Sequence, residues 1–326
     1  MLKQNIQRRD TSNEIPVMTM MVGLPGAGKS TYVKNIEYGN GKPIIHSSDE
    51  LRDELYGDVN SQEHNADLFN ELHRRIKTDL LDGHDVIYDA TNLSKKRRRA
   101  FLDELKNIKC KHYCEVILTP LEKYMEQNKN RERTVPEDVI LQMIKNFQPP
   151  EYSEGWDRII LQFNLDENES SSKWTLNTLF NGTYGIDEFQ QENDHHKLTL
   201  GMHCRKTMDY VKSVKPEDNR LSIAALLHDE GKVLTKSRFN SKGEEDGNCH
   251  YYQHHCVGAY NSFFYTSALG YNEEDMIYIS NLIYYHMHPY NEWKQSERVK
   301  SRNIKQFGEE FYRDLMILHD ADVSAH

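Results

Sequence analysis

The run VMTMMV (17–22) passes directly into GLPGAGKST (23–31). Six apolar residues closed by glycines read as a buried strand entering a loop, and a helix is expected from Lys29 to about Ile36. Gly23, Gly26, Ala27, Gly28, Lys29, Ser30 and Thr31 keep the spacing GxxxxGK[ST], between strand and helix as that motif requires. Glycines let backbone N–H groups close around phosphate oxygens, Lys29 reaches the terminal phosphates, and the Ser30 hydroxyl suits Mg²⁺. The pattern predicts binding of ATP and Mg²⁺ and leaves the phosphoryl acceptor open.

Working outward, PIIH (43–46), DVIYDATN (85–92) and HYCEVILTP (112–120) are short apolar runs separated by helical stretches such as 62–82 and 95–107. Strands alternating with helices predict a parallel α/β sheet, with GWDRIILQF (155–163) as its closing strand. A first domain over 1–165 follows. Residues 166–192 are polar and Ser- and Asn-rich, which reads as a linker or ordered connector. From 193 to 326 the pattern becomes helical, giving α/β plus all-α overall, and 11 of the 16 histidines fall in this half.

A length of 326 residues suits two domains. The net charge is −10, of which −2 lies in residues 1–165 and −8 beyond. That acidity excludes a general DNA-coating protein, so any contact with RNA or DNA is local. Five cysteines without a CxxC pair are expected to be reduced thiols. No apolar run approaches the roughly 18 residues of a membrane span, and residues 1–16 lack a leader's apolar stretch. A cytoplasmic protein without a membrane partner is expected.

Several side chains could define the acceptor. The strand after the loop motif, expected to neighbour the first in the sheet, ends in His46-Ser47-Ser48-Asp49, so Asp49 should face the crevice at the strand ends, where it could take a hydroxyl proton. Arg52, one helical turn on, could grip an acceptor phosphate. Asp89 and Asn92 end the next strand and suit Mg²⁺ or loop bracing. SKKRRR (94–99) reads as a solvated helix face or, near the crevice, as a contact for acceptor phosphates. Arg131 and Arg133 precede a Pro-initiated helix, as arginines closing over a triphosphate would.

GLPGAGKST, SSDELRDELYG, DATNLSKKRRR and NRERTVPEDVI together resemble the 5′-hydroxyl polynucleotide kinases and the wider zeta-toxin-like and small-molecule P-loop kinases. The resemblance covers about 15–163. It implies Asp49 as general base, Arg52 on the acceptor phosphate, and a lid arginine at Arg131 or Arg133.

The second half carries His203, His228-Asp229, His254, His286 and Asp322, each on a predicted helix from a different part of the chain, as an intrahelical metal cavity requires. The series resembles the HD-domain metal phosphohydrolases over about 193–326. The resemblance implies His203, His228, Asp229 and Asp322 on one ion, His254 and His286 on a second, and Lys232 on a substrate phosphate. Asp322 is preferred to Asp320; His255, His288, His195 and His196 are expected around the site or at the surface. One or two divalent transition ions such as Mn²⁺ are expected.

A kinase and a phosphohydrolase on one small metabolite would form a futile cycle, whereas on two ends of a broken strand they cooperate. The pairing resembles the HD-domain polynucleotide kinase family and implies an RNA end-healing enzyme: an ATP-dependent 5′-kinase with a metal-dependent 3′-end phosphoesterase for 2′,3′-cyclic or terminal phosphates, acting before a separate ligase. Two alternatives stay open: a nucleoside or nucleotide-sugar kinase fused to an HD nucleotidase, and a nucleotide-sensing regulatory protein.

Overall fold

The computed structural model describes residues 15–36, 42–58, 63–129, 136–165, 173–183, 185–193, 197–290 and 296–325. By its internal contacts the chain divides into one unit of residues 1–140 and 150–166 and another of residues 141–149 and 167–326.

The first unit is built on β1 (Val17–Val22), whose six residues are all buried. Then come α1 (Lys29–Lys34), β2 (Ile44–Ser47), α2 (Ser48–Tyr56), α3 (Asn65–Leu81), β3 (Val86–Asp89), α4 (Lys95–Leu105), β4 (Lys111–Leu118), α5 (Leu121–Lys129) and β5 (Arg158–Phe163); between α5 and β5, α6 (Glu137–Lys145) spans the division. The five strands are parallel in the order β2-β3-β1-β4-β5. Continuous apolar runs fill the centre because helices cover both faces of such a sheet. The helices bury one stripe each, as α3 does with Leu68, Leu72, Ile76 and Leu80.

β2 is not adjacent to β1, since β3 lies between them. All four residues of β3 are buried, whereas β2 is mostly half-exposed and takes the edge. A second departure concerns the basic run 94–99. Arg98 has no exposed side-chain surface and forms a fork of 2.7 and 2.8 Å with the equally buried Glu154, while also donating to the carbonyls of Asn92 and Leu93. Its neighbour Lys95 pairs with Glu151. The face is solvated only in part, because Arg98 shares a stripe with Phe101, Leu102 and Leu105.

The second unit contains α7 (Leu176–Asn181), α8 (Leu200–Val214), α9 (Asn219–Leu227), α10 (Lys232–Thr235), α11 (His254–Ala268), α12 (Glu273–Tyr285), α13 (Glu297–Phe307) and α14 (Glu309–Ser324). The stretch read as a connector is core: Leu179 and Ile186 are buried, and Trp174 stacks on Phe264 with centroids 4.8 Å apart. Thr175 and Thr178 form a capping box that starts α7. The neighbouring polar run hid these apolar residues. A hairpin of β6 (Ser237–Phe239) and β7 (Glu245–His250) interrupts the helices, unforeseen because EDGNCH has no alternating pattern. All five cysteines are free thiols. Among the described residues, no helix is long and apolar enough to cross a membrane.

Candidate functional site

In the first unit, the loop after β1 is held from several directions. Gly23 N–H donates to Thr91 O at 3.0 Å, Asn92 Nδ2 to Met21 O at 2.9 Å, and Thr119 Oγ1 to Ala27 O at 3.0 Å, while the Tyr124 hydroxyl donates to Pro25 O. Gly28 enters α1 at φ 93°, a left-handed conformation natural to glycine. Lys29 is buried, and its Nζ donates to the carbonyls of Gly23 and Leu24 at 3.0 and 2.8 Å. Ser30 Oγ donates to Asp89 Oδ2 at 2.9 Å, which brings together the two groups expected near Mg²⁺. Burial raises the Asp89 pKa above the usual carboxylate range, against the pull of Lys29 and the Ser30 hydrogen bond. Asn92 braces the loop through its side chain at φ 46°.

Ser47 caps α2 and pairs in register with Asp89, so α2 starts at the same end of the sheet as the phosphate loop. Asp49 lies in its first turn with 74% of its side chain exposed, and its carboxylate accepts from Arg52 Nη1 at 3.0 Å. The guanidinium is buried and also donates to Asn65 Oδ1 at 3.1 Å. Arg131 and Arg133 lie outside the described residues.

In the second unit, five elements converge. His203 comes from α8, His228 ends α9 with Asp229 after it, His254 opens α11, His286 ends α12, and Asp322 lies on α14. All six residues are buried. Gly231 makes this approach possible: a Cβ there would stand 2.1 Å from His254 O. His203, His228, Asp229 and Asp322 offer ligand atoms within 4.8 Å of one another, as do Asp229, His254 and His286. Asp229 joins the sets, with Oδ2 3.3 Å from His203 Nε2 and Oδ1 3.1 Å from His254 Nε2.

The imidazoles show what such a cavity needs. His228, His254 and His286 each donate Nδ1–H to the carbonyl three residues back, at 2.8, 2.7 and 2.7 Å. In the neutral ring this leaves Nε2 as a lone pair, and Nε2 of His254 lies 3.2 Å from Nε2 of His286. With the rings neutral, lone pairs and carboxylates converge as the donor set of divalent cations, so the residues fit a pair of metals. Burial works against charge on His228, but Asp229 and Asp322 outweigh it and lift its pKa to about 10, a measure of the negative potential that a dication would neutralise. Asp229 is held well below the carboxylate range, Lys232 and His228 overcoming its burial. Burial lowers His286 to about 4.

Lys232 Nζ sits 2.6 Å from Asp229 Oδ2 and 2.9 Å from Gln191 Oε1. Gln191 was missed because it lies in the supposed connector. Tyr290, missed too, donates its hydroxyl to Asp322 Oδ2 at 2.8 Å; its place four residues after His286 was the available signal. Asp320 is exposed and belongs to neither ligand set. His255 packs beside His254 and Tyr284, and its pKa is lowered to about 2 by burial and the neighbouring histidines. His288 lies against Tyr284 and Tyr285. His195 and His196 lie outside the described residues.

Residues 18–150 match the family model of the AAA domain, and residues 195–325 match that of the HD domain. Over 145 residues, 43% of this chain, the sequence is 26% identical to L-seryl-tRNA(Sec) kinase of Methanococcus maripaludis; the match spans about half of that relative, 56% of its length. Among solved structures, the Pnkp1/Rnl/Hen1 RNA repair complex is similar at 19% identity and a TM-score of 0.35, covering 42% of this chain and 45% of that one. A gluconokinase from Sinorhizobium meliloti 1021 is similar at 14% identity and a TM-score of 0.34, covering 47% and 86%.

Proposed function

We propose that this chain, a P-loop kinase domain followed by an HD domain, heals nucleic-acid ends by phosphorylating a 5′-hydroxyl and hydrolysing a 2′,3′-cyclic or terminal 3′-phosphate. The observation that carries the kinase half is the Asp49–Arg52 pair at the strand end in register with Asp89. Lys29 and the loop amides hold the triphosphate, and Arg52 holds a phosphate of the acceptor strand. The 5′-oxygen attacks the γ-phosphorus, its proton passes to the Asp49 carboxylate, and the bond to the β–γ bridging oxygen breaks to release ADP. With 74% of its side chain exposed, Asp49 is open to an acceptor as large as a strand end. The name of the curated relative, a kinase of seryl-tRNA, agrees with a hydroxyl carried on RNA.

In the second unit, His203, His228, Asp229 and Asp322 would hold one divalent cation, and Asp229, His254 and His286 another. Such ions, when bound, activate water and neutralise phosphate charge. Asp229 spaces the two sites through its separate oxygens, and Lys232, held by Asp229 and Gln191, supplies positive charge beside a phosphate ester. Opposed phosphate chemistries on one chain favour a substrate with two different ends over a single metabolite.

The test is end-group analysis of an RNA bearing a 5′-hydroxyl and a 2′,3′-cyclic phosphate, incubated with γ-labelled ATP, Mg²⁺ and Mn²⁺. The label should appear as a 5′-phosphate and the 3′ phosphate should be lost. Label entering nucleosides or sugars while the oligonucleotide stays unlabelled would refute the proposal.

A further inference from the structure

We infer that Tyr56 and His64 form a stacking platform for a nucleobase near the acceptor end of the strand, an inference that rests on the kinase reading above. Their rings are stacked, with centroids 4.9 Å apart and planes 26° from parallel. His64 is exposed and Tyr56 half-buried, so the pair is at the surface. The platform is aligned with the reacting groups. Asp49, Arg52 and Tyr56 follow one another on α2 at intervals of three and four residues, which is one helical face. From Asp49 to Tyr56 the helix rises about 10 Å at roughly 1.5 Å per residue, a span on the scale of a nucleotide. His64 caps α3, and the next residue, Asn65, accepts from Arg52 Nη2 at 3.1 Å. One connected set of side chains thus carries a carboxylate for the hydroxyl, a guanidinium for a phosphate, and two rings.

The surrounding charge decides between a base and a further phosphate. Asp53 and Glu63, both exposed, flank the rings in sequence and would repel an anion. An uncharged base is tolerated there, and every base offers a face for stacking, so the platform would accept single strands without reading their sequence.

The experiment uses the full chain, ATP and a single-stranded 5′-hydroxyl oligonucleotide, beside versions carrying one abasic residue at the first or second position. His64→Ala and Tyr56→Ala should each raise the acceptor KM roughly 5- to 100-fold, with the ATP KM within about twofold of native by the same stacking argument. His64→Trp should restore tight acceptor binding. One abasic version should be a poor acceptor for the native chain and lose nothing more in His64→Ala. The exposed His64 keeps the test valid even if Tyr56→Ala fails to fold. An unchanged acceptor KM in His64→Ala, or a loss that adds fully to that of both abasic acceptors, would overturn the platform while leaving the kinase reading intact. Failure of the native chain to label any 5′-hydroxyl oligonucleotide would remove both.

Discussion

At the scale of single residues, the two sites depend on carboxylates held in opposite ways. Asp49 is exposed and held by Arg52, whereas Asp229 is buried among imidazoles and Lys232. Asp49→Ala is predicted to lower kcat for phosphoryl transfer by about 10²- to 10⁴-fold, the usual contribution of a general base, while ATP binding measured by calorimetry persists. Loss of ATP binding together with turnover would show that Asp49 holds the loop instead. Asp229 touches both ligand sets through different oxygens. Asp229→Ala should therefore abolish binding at both metal sites, and His286→Ala should remove one, as read by metal content after equilibrium dialysis against Mn²⁺. Equal loss in both variants contradicts the bridging role.

At the scale of elements, α4 supports the phosphate loop through a buried ion pair. Arg98 joins Glu154 to the carbonyls of Asn92 and Leu93, and that segment holds β1 and the loop through Asn92 and Thr91. Removing one member of such a pair strands the other charge, so Arg98→Met is predicted to cost about 3–5 kcal/mol in urea unfolding. Arg98→Met combined with Glu154→Leu should recover most of that loss, because two apolar side chains leave no unpaired charge. A double variant no better than the single would mean that the stranded carbonyls dominate. The helical spacing of Arg98 with Phe101, Leu102 and Leu105 was visible in the sequence, but a run of five basic residues concealed it.

At the scale of the whole molecule, the two candidate sites lie in separate compact units. A ligand bound only by the folded state stabilises it by about 2.7 kcal/mol at one hundred times its Kd. Hydrogen exchange should therefore slow over residues 17–34 with Mg²⁺ and ATP, and quicken over α8, α9, α11, α12 and α14 when divalent ions are chelated. Chelation that loosened β1 and α1 alone would contradict this division.

The phosphate loop was legible in the residues alone, because GLPGAGKST is contiguous and its chemistry is main-chain geometry. So were the α/β and all-α halves, because hydrophobic period is local. The histidine series was legible as a pattern, since each member lies on a predicted helical run or at its end. It took the packed fold to show that Asp229 faces two ligand sets with its two oxygens, that Gln191 reaches Lys232, that Tyr290 reaches Asp322, and that β3 separates β2 from β1. Each of these joins side chains or strands distant along the chain, and such contacts follow from how elements pack, which no local run of residues encodes.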